Sequence, residues 1–186
     1  MKKGKIRNQG YTYIYKKIDL NRKLKGEFSF LIYRLKWNLS SRRVYLPQFP
    51  LHLDIELTNI CNLKCSMCFQ KYMKSNKGLM KWALYKKIID EGAVKGLAAI
   101  KLQVRGESFL HPDLMRCIKY AKEKGIMDVQ ITTNGTLLDE EKSRKIIESG
   151  LDMIIFSLDS NHRISYENSG KNHTMKYFRV YPTSSP

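Results

Sequence analysis

From residue 51 onward, short apolar runs alternate with longer stretches in which apolar residues recur every three or four positions. Residues 51–57, Leu-His-Leu-Asp-Ile-Glu-Leu, alternate strictly and predict a half-buried strand. Between 81 and 91, Trp82, Leu84, Tyr85, Ile88 and Ile89 form a helical stripe, with Gly92 as the expected stop. A second strand is expected at 98–104, leading into Arg105-Gly106-Glu107. Leu114, Cys117, Ile118 and Ala121 repeat at helical spacing up to a stop at Gly125, and 126–133 reads as a third strand ending in the turn Asn134-Gly135. Asp139 is placed to cap a helix running to Ser149 and closed by Gly150. Residues 153–158 supply a fourth strand ending at Asp159.

Strands separated by helices of this length imply βαβ units, hence an α/β fold with a parallel sheet of about four strands. Right-handed crossovers wind such a sheet into an open or partial (βα) barrel with one functional rim. Ligands collect at the carboxyl ends of parallel strands. All four expected ends carry residues that a generic loop would not need: the cysteines 61, 65 and 68 after the first, Arg105-Gly106-Glu107-Ser108 after the second, Thr133-Asn134-Gly135 after the third, and Ser157-Leu158-Asp159 after the fourth.

Charge changes the picture of the first 50 residues. The chain of 186 residues carries a formal net charge of +17, and a hydrophobic fraction of 42% is enough to bury one core. Much of the excess sits before Pro50, from Lys2 to Arg43, opposed there by only Asp19 and Glu27. Tyr11, Tyr13, Tyr15, Phe28, Phe30, Tyr33 and Trp37 are interleaved with these charges. Such an arm can touch nucleic acid, anionic lipid or an acidic partner. A helix or hairpin packed on the main domain with solvated charges is the favoured expectation, because no nucleic-acid motif accompanies the charge. No stretch has the roughly 20 apolar residues of a membrane span. No secretory signal is visible, and a reducing cytoplasm is the expected compartment. The expected divisions are a basic arm (1–50), a core (51–168) and an irregular tail (169–186).

The candidate chemistry lies in Cys61-Asn62-Leu63-Lys64-Cys65-Ser66-Met67-Cys68, a C-x3-C-x2-C run. An ordinary [4Fe–4S] centre takes a thiolate at every iron, so a set of three leaves one iron open, and an open metal position is where chemistry occurs. The competing readings are a zinc site completed by a histidine, a thioredoxin-like pair, or a disulfide framework. They lack, respectively, a downstream ligand pair, a thioredoxin pattern, and a short secreted context. Cys117 belongs to the apolar helix stripe and is expected in the core.

This spacing directly after a strand resembles the radical S-adenosylmethionine (radical SAM) superfamily. The resemblance implies that Cys61, Cys65 and Cys68 bind a [4Fe–4S] cluster whose fourth iron is chelated by S-adenosylmethionine. It further implies reductive cleavage to a 5′-deoxyadenosyl radical that abstracts hydrogen from a substrate, a peptide or a small molecule. Arg105-Gly106-Glu107-Ser108 resembles the superfamily's Gly-Gly-Glu-Pro motif: Gly106 and Glu107 match, while Arg105 and Ser108 depart from it. A carboxylate and exposed carbonyls suit the cofactor's amino group, and a glycine permits close backbone approach. By the same resemblance Met67 lies near the adenine, Asn134 contacts the cofactor, and Ser157 and Asp159 reach the ribose. His111 is expected to be a loop residue.

The resemblance covers about 51–166, roughly half of a radical SAM barrel, in the manner of members with carboxyl-terminal auxiliary clusters. With about four strands where the superfamily usually has six, a truncated core is expected. The alternative to an enzyme is therefore a truncated, non-catalytic iron–sulfur or metal-binding fragment. An acidic redox protein would suit the positive surface as electron donor.

Overall fold

A computed structural model describes residues 27–157 of the chain. Tyr11, Tyr13 and Tyr15 of the arm, Asp159, and the tail lie outside the described residues. The parallel sheet runs in the order β1 (His52–Asp54), β2 (Ala99–Lys101), β3 (Asp128–Thr133), β4 (Met153–Phe156). Leu53 pairs with Ile100, Ile100 with Val129, and Ile131 with Ile154. Helix α1 (Glu27–Ser41) precedes the sheet, and α2 (Trp82–Val94), α3 (Leu114–Glu123) and α4 (Glu140–Glu148) make the crossovers. The predicted α/β architecture and its four parallel strands are present.

The core lies between the sheet and α2 and α3. Ile55, Leu57, Tyr85, Ile89, Ile100, Leu102, Cys117, Ile118, Val129 and Ile131 are all buried in one cluster. Leu114, Cys117, Ile118 and Ala121 form the buried stripe of α3, as their spacing predicts. Tyr85 is sealed among them, and its hydroxyl donates to the Cys117 carbonyl at 2.8 Å.

Glycines mark three helix ends. Gly96, Gly125 and Gly150 follow α2, α3 and α4 with φ of 84°, 84° and 81°, a region that side chains disfavour. Gly92 is not a stop: α2 runs through it to Val94. A Cβ at Gly92 would lie 2.6 Å from Leu97 Cδ2, so the residue is glycine because the chain folds back against it. Asp139 caps α4 as expected, its Oδ1 accepting from the Lys142 amide at 2.7 Å.

The first strand is shorter than its alternation suggests. Beyond Asp54 the ladder to β2 is continued by Ile55 N donating to Lys101 O at 2.8 Å. Leu57 O then accepts from Met80 N at 2.7 Å and Thr58 bridges Leu79 in antiparallel sense, which diverts the chain away from β2. The 59–78 loop is thereby closed at its base.

The described part of the arm packs on the domain. Tyr33 of α1 is buried with Ala98 and Ala99, flanked by Phe30, Leu51 and Met127. The Trp37 ring meets His52 edge-on, with centroids 5.8 Å apart. These contacts lie at the amino ends of the strands, opposite the cysteine rim. Among the described residues no helix is long and apolar enough to cross a membrane.

Candidate functional site

The loop after β1 carries Cys61, Cys65 and Cys68, all half-buried, with Met67 exposed between the last two. Cys68 N donates to Cys65 O at 3.0 Å, and the chain then makes the 3-10 turn Phe69–Tyr72. The base of the loop is pinned by polar side chains. The Thr58 hydroxyl donates to Gly78 O at 3.0 Å and accepts from Ile60 N at the same distance. Asn59 donates to Asn76 O and accepts from Gly78 N, each at 2.8 Å.

The second rim segment docks directly on this loop. Glu107 N donates to Ile60 O at 2.8 Å, and a Cβ at Gly106 would sit 2.1 Å from Thr58 O and 2.7 Å from Ile60 O. The space that Gly106 leaves empty is filled by this chain's own carbonyls, so close backbone approach is needed here for loop packing. Gln70 closes the same seam from the other side, its amide donating to Asn59 O at 3.2 Å and to Arg105 O. Lys77 Nζ reaches Asn59 O at 3.0 Å and Gln70 Oε1 at 2.9 Å. Arg105, where the motif has glycine, pairs through both nitrogens of its fork with the Glu56 carboxylate.

The Glu107 carboxylate is 2% exposed and turned toward the third rim segment. Oε1 accepts from the Thr133 hydroxyl at 2.7 Å and from Phe109 N at 3.2 Å, while Oε2 accepts from Asn134 N at 2.9 Å. Burial pushes its pKa up, and these three hydrogen bonds act in the opposite direction. The Asn134 side chain reaches back to the cysteine loop, donating from Nδ2 to Asn62 Oδ1 at 3.0 Å. Asn62 in turn donates to Thr136 Oγ1 at 2.8 Å, and Asn134 Oδ1 accepts from Thr136 N at 2.9 Å. Gly135 takes φ of 75° in the expected turn. At the fourth end Ser157 N donates to Thr133 O at 2.8 Å.

Cys61, Cys65, Cys68, Met67, Gly106, Glu107, Asn134 and Ser157 thus lie on the loops at one rim. His111 is buried and structural: its ring bonds Met80 O at 3.0 Å and accepts from Asp113 N at 3.2 Å. Asn62 and Gln70 were not among the residues singled out from the sequence, whereas Thr133 was named with its rim segment. Asn62 was visible inside the cysteine run, but the partners of Gln70 are backbone carbonyls 11 and 35 positions away, which no local pattern encodes.

The donor chemistry fits an iron–sulfur cluster. Burial pushes the Cys61 thiol up; the Leu63 backbone hydrogen bond lowers it, while nearby Glu107 and Cys68 raise it further. A thiolate there is stabilised by a cationic partner such as a metal, and metal binding would release the proton. Three thiolates on one loop can each serve a different iron. Among the described residues no three His, Cys, Asp or Glu side chains are gathered closely enough to hold a metal ion.

Comparison with known proteins bears on the family and the fold. The family model for the Radical SAM superfamily matches residues 55–179. The chain is 36% identical over 109 residues to the tungsten-containing aldehyde ferredoxin oxidoreductase cofactor-modifying protein of Pyrococcus furiosus, covering 58% of this chain and 30% of that protein. It is 35% identical over 114 residues to a probable GTP 3′,8-cyclase of Methanococcus maripaludis, covering 61% and 38% respectively. The chain therefore spans about a third of the length of these curated relatives. Among solved structures it resembles BtrN in complex with AdoMet and 2-DOIA, with a TM-score of 0.57 and 22% identity, over 68% of this chain and 56% of that one. That likeness concerns the fold.

Proposed function

The chain belongs to the radical SAM superfamily, and we propose that it binds a [4Fe–4S] cluster through Cys61, Cys65 and Cys68. When bound, the cluster would supply the electron that cleaves S-adenosylmethionine to a 5′-deoxyadenosyl radical acting on a peptide or small-molecule substrate.

The observation that carries this reading is the docking of the cysteine loop onto two neighbouring strand ends. Ile60 is held by Glu107, Asn62 by Asn134, and Gln70 spans to Arg105. This frame ties the loop that carries the three cysteines to the second and third rim segments. Asn134 would meet the cofactor there, Met67 would cover its adenine, Ser157 and Asp159 would take the ribose, and Gly106 would serve by admitting the Thr58 and Ile60 carbonyls beside it. The Glu107 carboxylate, already accepting from three donors, would act mainly by holding the second and third rim segments together. An acidic redox protein is the proposed electron donor, attracted by the net charge of +17.

The test is electron paramagnetic resonance of the anaerobically reconstituted, reduced protein with and without S-adenosylmethionine. A [4Fe–4S] signal that shifts on addition, together with 5′-deoxyadenosine formation, supports the enzyme. A signal that does not shift supports a second reading, a cluster-binding unit without its own cofactor site. No cluster signal would remove both.

A further inference from the structure

Helix α1 has two apolar faces, and among the described residues only one of them is packed. Phe30, Tyr33 and Trp37 turn toward the domain. Phe28, Leu31, Ile32 and Leu35, at i, i+3, i+4 and i+7, form a second stripe, with exposures of 77%, 58%, 37% and 58%. At about 100° per residue this stripe lies on the far side of the helix from Tyr33 and Trp37. The same geometry puts Arg34 on one flank of the stripe and Lys36 on the other, each roughly a quarter-turn away. Both are exposed, as are Arg42 and Arg43 after the helix, and Val44 and Leu46 add apolar surface beside them.

We propose that this outer stripe of α1 docks on an anionic lipid surface, with Phe28, Leu31, Ile32 and Leu35 entering the interface and Arg34 and Lys36 flanking it at headgroup level. An apolar stripe bordered by long basic side chains is the pattern of helices that lie in a bilayer surface. Charge decides among the occupants. The 26 residues that precede the helix hold nine basic residues and one acid, and a second copy brings the same net charge of +17, so either would meet the flanks with like sign. An anionic bilayer supplies both the opposite charge and an apolar phase. The placement also suits the rest of the molecule. The inner face of α1 contacts Leu51, Ala98 and Met127 at the amino ends of the strands, so a surface docked on the outer face leaves the cysteine rim open.

The experiment is co-sedimentation of the full chain with vesicles of phosphatidylcholine alone or with about a third phosphatidylglycerol. It is repeated for the double variants Leu31→Glu with Leu35→Glu and Arg34→Glu with Lys36→Glu. All four positions face solvent, and an unchanged circular dichroism spectrum checks the fold. We expect anionic vesicles to bind on the order of tenfold more protein than neutral ones, and each double variant to lose most of that binding. Absence of binding to anionic vesicles overturns the proposal. So does binding that the Leu31→Glu, Leu35→Glu variant retains, which would assign it to the basic amino-terminal residues alone. A dimer in solution that this variant dissolves, or binding to polyglutamate without binding to vesicles, would assign the stripe to a protein partner and equally overturn it.

Discussion

Asn62 and Asn134 stand 72 positions apart in the chain and are joined by a 3.0 Å hydrogen bond from Asn134 Nδ2 to Asn62 Oδ1. One belongs to the cysteine loop after β1 and the other to the turn after β3, so the bond spans the rim past the end of β2. Asn62 also donates to Thr136, and Thr136 donates to Asn134, which makes a closed ring of three side chains. The cysteine loop is thereby fixed to two strand ends at once, by Asn62 on one side and by the Ile60 to Glu107 contact on the other.

Asn62→Ala removes both of its side-chain bonds from a partly buried site. We expect a loss of about 1–3 kcal/mol in apoprotein stability, and several-fold faster release of iron from the reconstituted protein to a chelator. Asn134→Ala should behave similarly. The double variant should cost less than the sum, because the two side chains share one bond. Additive losses in a thermal or denaturant melt would show that the ring is not a unit.

Gly106→Ala has a sharper expectation. The new Cβ would stand 2.1 Å from Thr58 O, a backbone atom held in the loop base, so the cysteine loop itself must shift. A loss of roughly 3 kcal/mol or more is expected, together with failure to retain iron on reconstitution. Gly78 is the control, since a Cβ there meets nothing within 4 Å, and Gly78→Ala should change stability by no more than about 1 kcal/mol. Iron content and urea midpoints of the two variants separate the cases.

The parts of this fold that were legible in the sequence are those written in local periodicity. The alternation around Leu53 and Ile55, the stripe from Leu114 to Ala121, the Asp139 cap and the glycines at 125 and 150 each depend on neighbours within a few positions. Gly92 misled because a glycine that ends a helix and one that admits a packing side chain look alike in sequence, and only the position of Leu97 distinguishes them. The cysteines of the candidate site were visible through their spacing. The frame around them was not, because Gln70 to Arg105, Glu107 to Thr133 and Asn62 to Asn134 join residues 26 to 72 positions apart.

Asp90 offers a pH-dependent prediction away from the site. Its carboxylate accepts from Lys124 at 2.8 Å and from Lys86 and the Tyr120 hydroxyl at 2.6 Å each, and these partners, Lys124 foremost, hold its pKa well below the usual carboxylate value of 3.8. A depressed pKa means that the folded state holds the proton less tightly than the unfolded chain. The stabilisation is therefore present above the unfolded value and lost as pH falls through the folded one. Asp90→Asn should lower the Tm near pH 7, and the gap from the parent chain should shrink progressively below about pH 4 as the parent loses this advantage. A gap that stays constant with pH would assign the effect to hydrogen-bond geometry instead.

Cys117 should be chemically silent while the other three cysteines are not. It is 1% exposed within α3, and burial pushes its thiol up to about 12, so at pH 8 it stays almost wholly in the unreactive thiol form. Cys61, Cys65 and Cys68 are only half-buried on a surface loop, and Cys61, whose thiol burial also pushes up, should label more slowly than the other two. Treating the apoprotein with iodoacetamide at pH 8 should add three carbamidomethyl groups, with a fourth appearing only in denaturant, and peptide mass spectrometry locates each one. After anaerobic reconstitution the count in native protein should fall toward zero, because the cluster would consume the same three thiols. A chelator that strips the iron should restore it to three. If Cys117 were labelled in the native state, or if reconstitution protected it rather than the loop cysteines, the assignment of Cys61, Cys65 and Cys68 as the ligand set would fail.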